Sequence, residues 1–273
     1  MHRQERLEAV TVSVGYADIL KHTIEFNKHH FDKWVIATSP EDKDTQKLAR
    51  LHNLTLLVTD DAKRDGSFSK GRVVERALQH LSANTWVLHL DGDIVLPADF
   101  RKWMQNAHLD PQKIYGADRV MIHSCEEWKK LKDSGWLWGA TKNHPHEIKF
   151  PSGFGLASRW GNEDGYVPSG YFQLWHRIHG GEEDGGARLK PYPMGHGTAA
   201  REDIQHGLKW DRRHRQLIPE IVVVHLESEA RPRSNWHGRT QLPFCTDKMP
   251  TAAVPGALTP GYKHKHGGDE SGS

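Results

Sequence analysis

Four short β-rich runs alternate with helix-like patterns in the first hundred residues, and this alternation narrows the fold more than any other feature. Ala9 to Val14, Trp34 to Thr38, Thr55 to Thr59 and Trp86 to Leu90 are each closed by polar or turn residues, as buried strands are. Between the first two, Asp18 is placed to cap a helix running through Ile19, Leu20, Thr23 and Ile24 towards Lys28 and Phe31. Ser39-Pro40-Glu41-Asp42 supplies a cap, a first-turn proline and early acids ahead of Leu48 and Leu51. Ser69 is the expected cap of a third helix whose Val73, Val74, Ala77, Leu78 and Leu81 fall on one buried face. Strand-helix repetition predicts an α/β fold, a mostly parallel sheet flanked by helices and joined by right-handed crossovers. Ligands of such sheets bind at the carboxyl ends of the strands.

That rule selects Tyr16 and Asp18 after the first strand, Thr38 and Ser39 after the second, Asp60 and Asp61 after the third, and Asp91 and Asp93 after the fourth. The last pair carries the most chemistry. Alternation in an extended chain would point both carboxylates to one side, with Gly92 letting the backbone approach a ligand. Oxygen ligands of this kind suit Mg2+ or Mn2+, whose coordination substrate phosphates and water complete. An Asp-x-Asp met alone is more often a strand followed by an Asp-Gly turn. Asp18, Ser39 and Asp61 taken singly read as caps. Collectively, an aromatic, several carboxylates and a helix start at Ser69-Lys70-Gly71 would suit a base, a ribose and a metal-bound diphosphate.

Lys plus Arg (37) nearly balance Asp plus Glu (35), and the resulting net charge of +2 argues against wholesale coating of nucleic acid. The opening residues carry no apolar signal-peptide core and no run approaches a membrane-spanning length, so a cytoplasmic protein without a membrane span is expected. Cys125 and Cys245 lack metal-ligand spacing and read as reduced, partly buried thiols. His29-His30, His144, His146, His264 and His266 lack acids or cysteines arranged as a closed site and read as surface histidines.

With these residues in place, the chain resembles the GT-A-fold glycosyltransferases that use nucleotide sugars, the large family-2-like group that includes phage-type enzymes. The likeness runs from about Val10 to Arg239. It implies that Asp93 binds the metal, that Asp91 with Gly92 lies nearer the ribose or sugar, and that Tyr16 stacks the base. It also implies that Asp60 reads the base edge and that Lys70-Gly71 forms the small-residue helix start before the metal motif. The donor it implies is a nucleotide-diphosphate sugar, such as a UDP-sugar. Thr38-Ser39-Pro40-Glu41-Asp42 departs from the pattern, in which paired acids and a small polar residue are more usual; Thr38 is kept as a donor-site residue.

The resemblance divides one GT-A domain into a nucleotide-sugar half (residues 1–110) and an acceptor-binding, catalytic half (111–249), before a flexible tail (250–273). In the second half, Pro151 to Gly170 and Gly180 to Gly197 read as long functional loops around the apolar segment Gly170 to Trp175. Asp203, with Glu202 beside it, matches the carboxylate at a helix start that inverting members use as base. Without the resemblance it is an early-turn acid favoured by the helix dipole. Ile221 to Leu226 is a further buried run, and His225 near its end matches a histidine that several GT-A enzymes return to the metal. His237 is the reserve, and Arg231, Arg233 and Arg239 either neutralise the departing diphosphate or lie on a solvated face. The expected activity is metal-dependent, inverting transfer of a sugar to an acceptor hydroxyl on a glycan or envelope precursor. Hydroxymethylated DNA is an alternative acceptor, contacted through Arg212, Arg213 and Arg215 or through Lys129, Lys130 and Lys132 with Trp136 and Trp138. A saccharide would instead stack on Tyr171, Phe172 or Trp175. A sugar-nucleotide pyrophosphorylase and a non-catalytic sugar-binding module are the readings from other classes.

Overall fold

The computed structural model describes residues 6–66, 68–138, 148–157, 159, 161–162, 165–177, 191–195, 198–226 and 244–245. The four early runs form β1 (Leu7–Val12), β2 (Lys33–Thr38), β3 (Thr55–Val58) and β4 (Thr85–Leu90). Between them lie α1 (Ala17–Asn27), α2 (Lys43–Leu51) and α3 (Lys70–Leu78). The chain continues through β5 (Ile94–Val95), α4 (Phe100–Asn106), β6 (Ile114–Ile122) and α5 (Cys125–Asp133). A small hairpin of β7 (Gly161–Asn162) and β8 (Gly165–Tyr166) precedes β9 (Phe172–Arg177), α6 (Ala199–Gly207) and β10 (Arg215–Leu226).

The main sheet has eight strands in the order β3-β2-β1-β4-β9-β6-β10-β5. The pairs β1/β2, β2/β3, β1/β4 and β6/β10 are parallel, while β9 runs antiparallel to both β4 and β6 and β5 runs antiparallel to β10. This is the α/β class expected, a mixed and mostly parallel sheet flanked by helices, and it extends across both halves of the sequence.

Strand alternation sorts the core. Trp86, Leu88 and Leu90 of β4 join Trp34 and Ile36 of β2 in a cluster with Leu20 and Ile24 of α1 and Phe100 of α4. Val87 turns the other way, with Val35, towards Val73, Val74 and Ala77 of α3. All six residues of β4 are buried, as a central strand covered on both faces requires. Ser69 caps α3 as expected, its side chain accepting from Arg72 N. The other two starts differ from expectation. Asp42, not Ser39, caps α2 by accepting from Thr45 N at 3.0 Å, and Tyr16 is the N-cap residue of α1, leaving Asp18 in its first turn. Asp18 Oδ2 instead accepts from the backbone of Phe244, whose ring is fully buried.

Cys125 and Cys245 form a disulfide, which corrects the expectation of reduced thiols. It ties the start of α5 to the segment carrying Phe244, which packs with Ile19, Val120 and Trp128. Disulfides are characteristic of oxidising compartments, so this bond runs against the expected cytoplasmic location. Among the described residues no helix is long and apolar enough to cross a membrane. Because the bond spans 120 residues, replacing both cysteines by serine should lower stability by about 2–4 kcal/mol. Urea midpoints of the oxidised, thiol-reduced and doubly substituted proteins check this; three equal midpoints would contradict it. The tail from residue 250 onward lies outside the described residues.

Candidate active site

The carboxyl end of β4 leads into a turn, in which Ile94 N bonds Asp91 O at 3.3 Å before β5 begins. The two carboxylates are therefore set by a turn rather than by extended alternation, and they have different partners. Gly92 faces inward: a Cβ there would meet Thr11, Ser13 and Leu20 at 3.6–3.8 Å, ordinary contact distances.

Asp91 belongs to a buried network that joins distant parts of the chain. Lys70 Nζ, at the start of α3, donates to Asp91 Oδ1 at 2.5 Å and to Asp203 Oδ2 of α6 at 2.9 Å. The other Asp203 oxygen accepts from the Tyr192 hydroxyl at 2.6 Å, and that hydroxyl also lies 3.0 Å from His89 Nδ1 and 3.1 Å from Gln173 Oε1. Burial opposes the charge on Lys70, but Asp203 and Asp91 outweigh it and raise the ammonium above its ordinary value. Burial pushes the Asp91 carboxyl up in spite of Lys70, with Asp203 and Asp93 adding to the effect. Burial, with the Tyr192 hydroxyl's carboxylate neighbour Asp203 contributing, holds that phenol well above the ordinary tyrosine value, so it is a donor at neutral pH.

Asp93 sits in a second group. Its Oδ2 lies 3.3 Å from His225 Nε2, and its Oδ1 is buried and has no hydrogen-bond partner among the described residues. Burial works to raise this carboxyl, but His225 beside it outweighs burial and holds it below the ordinary range. His225 Nδ1 lies 3.0 Å from Arg119 Nη1, and the guanidinium rests over the Tyr171 ring at 4.3 Å. A guanidinium can only donate, so Nδ1 accepts and the imidazole proton sits on Nε2, aimed at Asp93.

The helix start read as an anion site is already filled. Glu202, fully buried, accepts from Ser69 Oγ at 2.6 Å, Gly71 N at 2.7 Å and Gly195 N at 3.0 Å. Gly71 is required there because a Cβ would stand 1.8 Å from Pro193 O. Of the remaining donor-site candidates, Thr38 is buried and donates to Asp42 Oδ2 at 3.0 Å, and Asp60 is exposed just beyond β3. Tyr16 is partly buried against the cluster around Trp128. Tyr16 and Asp60 follow the carboxyl ends of β1 and β3 and Thr38 closes β2, on the edge that carries Asp91.

Several acceptor-side expectations change. Phe172 and Trp175 are core residues, 0% and 6% exposed, and cannot stack on a sugar; Tyr171 is partly buried and donates to Ala117 O at 2.5 Å. Arg215 is buried at the start of β10 while Arg212 and Arg213 are exposed, so the three do not form one basic patch. Trp136 is buried and donates to Lys149 O at 2.7 Å. His30 is buried against Phe100 rather than on the surface. Arg231, Arg233, His237 and Arg239, with His144, His146, His264 and His266, lie outside the described residues. Sequence reasoning missed Tyr192, His89, Gln173 and Arg119; His89 and Gln173, polar residues inside apolar strand runs, left a visible signal.

Burial forces three of the described histidines to stay neutral: His30 and His89 are each held down to about 3, with His29 and Lys70 respectively adding to the burial effect, and His22 to about 4, with Lys21 adding. As pH falls below about 6.5 the unfolded chain takes protons that these folded imidazoles refuse, so stability is lost progressively from there towards their folded values. Each should contribute roughly 1.4 kcal/mol per pH unit over that window. Urea titrations between about pH 6.5 and 5 test this against the unperturbed histidine reference. A flat profile would contradict the neutral assignments.

No family model and no curated protein matches the sequence. Among solved structures, glucosyl-3-phosphoglycerate synthase from Mycobacterium tuberculosis, in complex with Mn2+, UDP-glucose and phosphoglyceric acid, aligns with TM-score 0.35 and 16% identity over 42% of this chain and 44% of that one. The same enzyme with UDP gives TM-score 0.34 and 16% identity over 41% and 44% of the two chains. A mycobacterial protein gives TM-score 0.34 and 16% identity over 43% and 42%. This chain thus spans less than half the length of each. The architecture itself rests on the strand order above.

Proposed function

We propose that the chain is a metal-dependent glycosyltransferase that moves a sugar from a nucleotide-diphosphate sugar to an acceptor hydroxyl with inversion. The observation carrying this reading is the Lys70 bridge, which sets Asp203 against Asp91 at the sheet edge where α/β folds bind nucleotides. A donor-facing acid and a potential base thereby share one buried site.

A divalent cation fits the residues present. Asp93 Oδ1 is buried and unpartnered among the described residues, and one or two carboxylates suffice for Mg2+ or Mn2+ when substrate phosphates complete the shell. Among the described residues no group of three acidic, histidine or cysteine side chains is arranged to hold a metal ion by itself. Asp93 is the protein ligand in this reading. His225 would join by giving up its Nε2 proton and its contact with Arg119, and an imidazole in the set would favour manganese. The ion would supply charge neutralisation at the departing diphosphate. Asp91 lies towards the ribose or sugar, Tyr16, Thr38 and Asp60 line the nucleoside side, and Asp203 takes the proton of the attacking hydroxyl.

The test incubates a panel of nucleotide sugars with glycan acceptors and with hydroxymethylated DNA, with Mn2+, Mg2+ or a chelator, and reads products by mass. Metal-dependent transfer that falls in Asp93→Asn is expected. Full activity in chelator, or an unchanged metal response in Asp93→Asn, would sink the metal assignment. Binding without release of nucleoside diphosphate would point to a sugar-binding module, and exchange of pyrophosphate into the donor to a pyrophosphorylase.

A further inference from the structure

Tyr192 belongs to no helix or strand, yet it is 1% exposed and its hydroxyl reaches the interior of the site. Its ring stacks on His206 with centroids 4.3 Å apart, and its backbone N donates to Glu75 at 2.6 Å. Those two contacts secure the ring and the loop. The hydroxyl is a separate matter, because a phenylalanine would preserve the stacking and spare a buried polar atom.

One proton must serve three neighbours. The shortest contact is Asp203 Oδ1 at 2.6 Å, and a hydrogen bond to an ionised acceptor is the strongest available, so the proton lies there. Gln173 Nε2 donates to Pro168 O at 2.9 Å and to Asp203 O at 2.8 Å, which fixes its amide and leaves Oε1 as an acceptor. His89 then faces two oxygens that do not donate to it, the Tyr192 hydroxyl oxygen 3.0 Å from Nδ1 and the Gln173 amide oxygen, so Nδ1 carries the imidazole proton. Its Nε2 is left as a bare lone pair, buried, without a hydrogen-bond partner and 3.9 Å from Asp91 Oδ1. With Lys70 on one carboxylate oxygen and Tyr192 on the other, the plane of the Asp203 carboxylate is fixed, and only its remaining lone pairs can meet an acceptor.

We propose that Tyr192, oriented by His89, is a positioning residue that fixes the Asp203 carboxylate for proton abstraction. The inference rests on the glycosyl-transfer reading. Tyr192→Phe should lower kcat by about 10- to 100-fold, the range for losing a hydrogen bond to a charged group, with donor KM and donor affinity within about threefold of wild type. Added to Asp203→Asn it should cost nothing further, because a residue acting through Asp203 has nothing left to position. Unchanged kcat in Tyr192→Phe, or an equal loss on the Asp203→Asn background, overturns the inference and leaves glycosyl transfer standing. Should Tyr192→Phe fail to fold, His89 gives an independent readout: His89→Asn, whose amide can replace the Nδ1–H donor, should retain at least about fivefold more kcat than His89→Leu, scaled as one partial hydrogen-bond loss. Equal activity of those two variants also overturns it. Absence of transfer from every donor by the wild-type protein removes both readings together.

Discussion

Asp203→Asn should lower sugar transfer by about 10²- to 10⁴-fold, the usual contribution of a general base, while leaving donor binding within a few-fold of wild type. The structure explains why the variant should still fold. An asparagine can turn its carbonyl oxygen to Lys70 and its amide to the Tyr192 oxygen, so both contacts of Asp203 retain a partner. What it cannot do is accept a proton. Matched donor titrations and turnover assays separate the two effects, and near-normal transfer would remove Asp203 from the mechanism. Glu202 would be a poor replacement, since it is fully buried and holds the α3 start through Ser69 and Gly71. A product that keeps the donor's anomeric configuration by NMR would independently reject inversion.

Lys70→Met should destabilise the fold by about 3–5 kcal/mol, the cost of stripping a buried pair of its partner. Lys70 has a side chain only 7% exposed and is the cation between Asp91 and Asp203. Without it the Asp91 carboxyl resists ionisation further, extending the upward displacement that burial already imposes on it. A carboxyl whose folded value is raised holds protons that the unfolded chain has released, so its contribution is present at low pH and lost as pH rises through the folded value. The difference between variant and wild type should therefore be smallest in acid and widen towards neutrality. Urea midpoints of both proteins at several pH values measure it. A constant difference, or none, would mean that the bridge is not the structural tie described.

The sheet was legible in the sequence because β1, β2 and β4 bury both faces and leave largely apolar runs, and α3 because Ser69 and the Val73–Leu78 face obey local rules. Asp91, Asp93, Lys70, Asp203 and His225 could be named in advance, but their pairing could not. Whether Lys70 meets a phosphate or two carboxylates depends on α6, 133 residues away. Tyr192 was invisible for the same reason: nothing in Pro191-Tyr192-Pro193 shows which carboxylate its hydroxyl will find. The disulfide was misread because two cysteines 120 residues apart give no local sign of meeting. Phe172 and Trp175 were misassigned because a strand entering an existing sheet from a glycine-rich region looks, in sequence, like an exposed aromatic segment.

The position of β9 bears on how such a protein can be taken apart. It comes from the second half of the chain yet lies between β4 and β6, bonded along all six residues of β4 from Thr85 to Leu90. A fragment ending near residue 110 would carry Asp91 and Asp93 just beyond a strand with one bare, largely apolar flank, the kind of edge that recruits other chains. The two halves of the chain are therefore not exchangeable cassettes: grafting a new second half means supplying a strand that fits β4, and a chimera joined at residue 110 should aggregate unless its β9 is kept.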